Sequence, residues 1–300
     1  MPRVTQLSQQ TQTMSHVLDA QKRIQDAQIQ ISTGVKSQTF TGISADATRL
    51  VSLEGLVTRF DQFNKNNTVI ELRLQFMDQS VSTIFDAVIE LRNLIIQRVN
   101  DSSASNVPLA TIGQNLLEVV VGQLNTKENG RFLFSGTQTK TPPVILPVPD
   151  PTTFGTPEAN YYQGNSVELS ARIDDTISIK YGMTADRPAF QETIAAMKAA
   201  IEGDITDDRT LLNQALSLAN SAITSLVTFR AEIGSDMSTI ALAKERNIDF
   251  VLFTEQSISD IRNVDIPSAI TRLTADQMIL QASFLTLARI GNLSLLNYLN

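Results

Sequence analysis

The chain has 300 residues, 42% of them hydrophobic but only 6% aromatic, and carries a formal net charge of −7. An acidic surface with scattered Lys and Arg repels phosphates, which argues against a nucleic-acid partner. The absence of Cys excludes disulfides, iron–sulfur clusters and thiolate zinc sites. The absence of Trp, with so few aromatics, suits thin helical layers packed by Leu, Ile, Val and Ala.

Residues 1–33 carry a sparse heptad of Val4, Leu7, Met14, Val17, Ile24 and Ile31, set among Gln, Ser, Thr and Asp. A stripe this thin does not stabilise an isolated helix, so the segment needs a partner. The first twenty residues hold no apolar run of secretory length and no small-residue cleavage site. No stretch approaches the ~18 consecutive apolar residues of a membrane span. No membrane insertion is expected, and the chain is either cytoplasmic or exported without a cleaved signal peptide. STGVKSQTFTGISAD (32–46) then reads as a loop.

The strongest periodicity follows. Phe60, Phe63, Asn67, Ile70, Leu74, Met77, Val81, Ile84, Val88, Leu91 and Ile95 recur at steps of three and four, a coiled-coil-like seam. Asn67 either fixes its register or lies at its edge. After a turn, Pro108 opens a helix expected over about 109–128, stopped by Asn129-Gly130.

Residues 130–188 are a β-rich insert. Val167, Leu169, Ala171 and Ile173 alternate, Asp174-Asp175 turn, and Ile177, Ile179 and Tyr181 alternate again, which marks a hairpin. Helix resumes over 189–201, and EGDITDDRT supplies a turn and an N-cap. A second seam starts at Leu212. In the last segment Ile270, Leu273, Leu280, Phe284, Leu287 and Leu296 fall on or near one face.

The fold class is therefore mainly α: an elongated rod of long antiparallel helices with coiled-coil-like seams, paired terminal helices and a small β-rich insert at the far end. Three parts are expected: a terminal coiled coil (1–38 and 262–300), a helical rod (39–129 and 189–261) and a surface-facing insert (130–188). A helix of ~50 residues is ~75 Å long.

No chemistry stands out. His16 is the single histidine, so neither a Ser–His–Asp arrangement nor a His-based zinc site can be built. Gly-rich phosphate loops and nucleophile elbows are missing. The acidic group Glu202, Asp204, Asp207 and Asp208 could ligate a hard cation but does not fit a calcium loop; Asp207 or Asp208 reads as the cap of the next helix. Neither cofactor, metal nor enzymatic activity is expected.

Three stretches, QISTGVKSQTFTGISADATRL (30–50), ENGRFLFSGTQT (128–139) and DIRNVDIPSAITRLTADQMILQASFLTLARIGNLSLLNYL (260–299), resemble the bacterial flagellin family of filament flagellins and hook–filament junction proteins. The resemblance implies a structural subunit of the extracellular flagellum, exported through the type III channel with an export chaperone. Its partners would be further copies of itself and other axial proteins, such as hook-associated proteins and the cap. It also implies terminal segments that are disordered in the monomer and pair in the polymer core, with the terminal heptad residues named above as the assembly residues.

A filament subunit is the main expectation. The single insert after GRFLFSGTQT and the ending LSLLNYL fit the junction protein, the alternative within the family; a secreted helical adhesin is more remote. The family's receptor-recognition patch is matched by ELRNLIIQ (90–97) at Arg92, Leu94 and Gln97, with Asn93 in place of its acidic residue. The plain reading of that stretch buries Leu91 and Ile95 and leaves Arg92 solvated.

Overall fold

The computed structural model describes residues 2–100, 108–145 and 147–299, with side chains described at Ser8 and over 11–100, 108–145 and 147–289. The helices are α1 (Pro2–Thr33), α2 (Ala47–Asn100), α3 (Leu109–Leu124), α4 (Pro188–Ile205), α5 (Arg209–Arg262) and α6 (Ile266–Leu299). Two hairpins, β1 (Lys127–Glu128) with β2 (Arg131–Phe132) and β3 (Ser170–Arg172) with β4 (Ser178–Lys180), lie between α3 and α4. The chain forms two compact units, residues 1–58 with 251–300 and residues 59–250.

The second unit is built on the seam legible in the sequence. On α2, Leu74, Met77, Val81, Ile84, Val88, Leu91 and Ile95 are fully buried, and Phe60 and Ile70 nearly so. Phe63 is half-buried and meets Phe60 edge to face at 5.8 Å. α5 runs antiparallel to α2, fixed by Asp78–Arg230 (2.9 Å), Glu71–Lys244 (2.7 Å) and the Phe60–Phe250 ring contact at 4.5 Å. α3 packs on α4, where a Cβ at Gly113 would lie only 3.0 Å from the Ile201 side chain. The glycine there lets the helices approach closely.

Arg98 closes one end of this unit. It is buried and pairs with Asp204 at 2.5 Å and Asp207 at 2.9 Å, which raises its pKa. The second oxygen of Asp204 accepts from the Ala110 amide in the first turn of α3, at 2.8 Å. Asp208 caps α5, accepting from the Thr210 and Leu211 amides at 2.8 and 3.2 Å. Asp204 and Asp207 thus clamp one arginine, and Asp208, rather than Asp207, is the N-cap.

The insert shares this core, because Phe134, Val144, Tyr161 and Ile173 join the same buried cluster. One expectation is corrected at its entrance. α3 ends at Leu124, and Asn129-Gly130 is not a helix stop but the turn of the β1–β2 hairpin. Both residues have positive φ (48° and 75°), as a two-residue I′ turn requires. Tyr161 donates its hydroxyl to Ala185 O at 2.8 Å, and burial raises its pKa.

The β3–β4 tip turns at Asp174, whose carboxylate accepts from the Thr176 and Ile177 amides, both at 2.6 Å. It docks on α2 and α5. Asn67 Nδ2 and Asn247 Nδ2 both donate to Ile173 O, at 2.9 and 3.1 Å. Asn67 is therefore fully buried beneath a hairpin, not at a seam edge. Arg59 holds Asp175 at 2.6 Å, and Arg246 lies 3.8 Å from Asp174.

Candidate assembly surface on the terminal helix pair

In the first unit α1 packs against α6. They run antiparallel, since Val35 bridges Asn263 near one end and Arg23 pairs with Asp276 at 2.9 Å further along. α1 stops where Gly34, at φ 74°, donates its amide to Gln30 O at 2.8 Å. Lys36 N to Arg262 O (2.8 Å), Val264 N to Gly34 O (3.0 Å) and Lys36 Nζ to Asp260 O (2.6 Å) tie the two loops together. α1 thus gains the partner its thin stripe requires.

The seam between them is narrow. Val17, Ala20 and Ala27 are buried on α1, with Ile24 and Ile31 half-buried. On α6 Ala269 is buried, and Leu273, Asp276, Leu280, Ser283 and Leu287 follow half-buried at steps of three and four. One heptad row on α1 is the expected Val17, Ile24, Ile31. The other is Ala20 and Ala27, missed because alanine carries little hydrophobic signal.

Met14, Ile270 and Phe284 do not enter this seam; each leaves about half its surface to solvent. At 100° per residue Met14 falls roughly 100° from the seam centre on α1. Leu18, Ile29, Met278, Ile279 and Leu285 are exposed as well. The side chains of Val4, Leu7 and Leu296 lie outside the described ones.

Large apolar side chains therefore stay exposed among polar ones on the outer faces of both helices, while the inner seam mixes Val, Ile and Leu with alanine and polar residues. Burying alanine releases far less apolar surface than burying leucine, at about 0.8 kcal/mol per methylene. Burial of the exposed Met14, Leu18, Ile270, Phe284 and Leu285 would remove further apolar surface from water.

The other sequence candidates separate. Leu91 and Ile95 are core, and Leu94 is half-buried against it. Arg92 is not solvated as expected: it is half-buried, with Nε enclosed and without a hydrogen-bond partner among the described residues. Its guanidinium turns along the helix to Asn93 Oδ1 at 3.4 Å, and only Gln97 of the three patch residues is exposed. His16 lies on an exposed face of α1. Among the described residues no helix is long and apolar enough to cross a membrane, and no three His, Asp or Glu side chains converge to hold a metal.

Comparison with known proteins gives a consistent outcome. Residues 4–139 match the bacterial flagellin N-terminal helical region and residues 216–299 the C-terminal helical region. Flagellar hook-associated protein 3 of Escherichia coli (strain K12) is 23% identical over 296 residues, covering 89% of this chain and 90% of that protein. Among solved structures, FlgL of Bacillus cereus superposes with a TM-score of 0.53 at 19% identity, covering 64% of this chain and 98% of its own. The flagellar junction protein FlgL of Legionella pneumophila gives 0.53 at 13% identity, covering 70% and 98%. The two matched regions include nearly all of α1 and α6 and extend through α2, α3 and most of α5, and the chain belongs to the bacterial flagellin family.

Proposed function

We propose that this chain is a junction subunit of the bacterial flagellum, seated between hook and filament and built into the axial structure through α1 and α6. The observation that carries the reading is the near end-to-end similarity to flagellar hook-associated protein 3, over 89% of this chain and 90% of that protein. It favours the junction over the filament role that the sequence alone put first. The role is structural rather than catalytic. The apolar side chains exposed on the outer faces of α1 and α6 supply the driving force, because docking removes Met14, Leu18, Ile270, Phe284 and Leu285 from water.

Three corollaries complete the reading. The protein works outside the cell and is exported without a cleaved signal peptide. Before export a chaperone covers the terminal helices, whose exposed apolar faces are an aggregation hazard. The chain serves in three parts: an assembling pair (1–38 and 262–300), a helical rod (39–129 and 189–261) and an outward insert (130–188).

Electron microscopy of purified full-length protein incubated with isolated hook fragments tests the assignment. Binding at hook ends that then stops is the expected result. Long uniform tubes would instead make it a filament subunit, and an inert monomer would remove the axial role.

A further inference from the structure

Outside the terminal pair, one apolar surface of the 59–250 unit has no internal partner. Val69, Leu72 and Phe76 follow at steps of three and four on α2, so they form one ridge. They are 57%, 44% and 44% exposed. Glu71 and Asp78, which pair with α5, occupy the other flank of the helix. At 100° per residue the two flanks are roughly 140° apart. The ridge therefore faces away from α5 of its own chain.

A face of α5 is unexplained in the complementary sense. Gly234 lies in the interior of a 54-residue helix, exposed, and a Cβ built on it meets nothing within 4 Å. No internal contact demands glycine there, although glycine weakens a helix interior relative to alanine. Val227, Gly234 and Ala241 recur at seven-residue steps, with Leu242 beside them, and all four are exposed. The result is a stripe of small and apolar residues, broken by Ser238, with no side chain at Gly234.

We propose that the Val69–Leu72–Phe76 ridge of one copy docks on the Gly234 face of α5 in a second copy of this chain. The inference rests on the assembly reading above. Three observations select a second copy as the occupant. Within one chain ridge and stripe cannot meet, because the ridge lies on the flank of α2 turned away from α5.

Set antiparallel, the two surfaces match in register: Phe76 over Gly234, Val69 against Ala241 and Lys65 against Glu245. Lys65 and Glu245 are exposed and enter no ion pair among the described residues, so the charges at that end are complementary and free.

The ridge is also small, on the order of a few hundred Å², against the ~800 Å² per partner of a self-sufficient interface. It acts beside the terminal-helix contact and gains from the high effective concentration within the assembly. Because ridge and stripe differ, the contact is heterologous and repeats from copy to copy.

The cysteine-free chain permits a direct test. Phe76→Cys combined with Gly234→Cys, assembled on hook fragments and oxidised with diamide, should give a ladder of dimers, trimers and higher species on a non-reducing gel. Neither single variant should give one. Dimers from Phe76→Cys alone would show α2 meeting α2 and overturn the inference, as would an assembled double variant with no ladder.

A charge exchange provides an independent arm. Lys65→Glu should weaken assembly several-fold, and Lys65→Glu with Glu245→Lys should restore it; failure of the restoration counts against the register. Wild-type protein that does not bind hooks at all would remove the assembly reading itself. A double variant that binds hooks without cross-linking would remove only this contact.

Discussion

Asn67 and Asn247 share one acceptor, and that sharing makes a quantitative prediction. Each donates to Ile173 O, and Asn247 also reaches Asn64 Oδ1 at 3.2 Å. Asn67 Oδ1 is enclosed with no hydrogen-bond partner among the described residues, so truncation at that position also removes a desolvated acceptor. Asn67→Ala should then cost about 1 kcal/mol, the net worth of one hydrogen bond. Asn247→Ala loses two and should cost about 2 kcal/mol.

Either single variant leaves Ile173 O with one donor. The double variant strands a carbonyl on a fully buried residue, which adds roughly 1–2 kcal/mol beyond the sum. Urea unfolding of the full-length variants, followed by far-UV circular dichroism, measures the cycle. Additivity within ~0.3 kcal/mol would refute the shared-acceptor argument.

Arg98→Ala should destabilise by about 3 kcal/mol, because it leaves the Asp204 carboxylate uncompensated. Arg98→Lys should recover only part of this, since one ammonium does not reproduce a planar fork on two carboxylates. Burial alone would raise the pKa of Asp174, but the hydrogen bonds from Thr176 and Ile177, with Arg246, outweigh it and hold the pKa below the ordinary value. Its stabilising effect is therefore present above the unfolded value of about 3.9 and is lost as pH falls through the folded one. In denaturation series from pH 7 to 2.5, the gap between wild type and Asp174→Ala should narrow at the acid end.

Asp236 has the opposite sign: burial, with Glu232 and Glu168, raises its pKa against the pull of Arg187. Asp236→Asn should stabilise the protein at pH 7, with the gain fading as pH falls through the folded pKa; no gain at pH 7 would contradict it. Leu280→Asp places a charge in the α1–α6 seam and should abolish hook binding while leaving the urea midpoint of the 59–250 unit unchanged. Hook binding at wild-type level by that variant would exclude the pair as the assembly element.

The seam from Phe60 to Ile95 was legible because large apolar side chains at helical spacing have no other use in such number. The seam of the terminal pair was half legible. Val17, Ile24 and Ile31 announced one row, whereas Ala20, Ala27 and Ala269 lack the size to stand out. Asn129-Gly130 was misread because a helix stop and a hairpin turn both need positive φ; the pairing of Lys127 with Phe132 decides between them. Arg98 and its two aspartates lie more than a hundred positions apart, so their meeting is a product of the fold alone. The docking role of Asn67 left no trace in the sequence, because its partner is a backbone carbonyl.

That last point extends to the whole insert. Arg73 of α2 donates to the carbonyls of Phe132 and Leu133, Asn125 to that of Val144, Lys198 of α4 to that of Val148, and Asn67 with Asn247 to that of Ile173. The keys are side chains outside the 130–188 segment; the locks are main-chain atoms that every residue type possesses. The insert's buried Phe134, Val144, Tyr161 and Ile173 and its paired Asp174 and Asp175 add side-chain contacts to this main-chain grip. The framework is thus a socket that holds the path of the insert by its backbone, so residue changes at the insert's exposed positions leave that grip intact, whereas the buried ones must keep their shape.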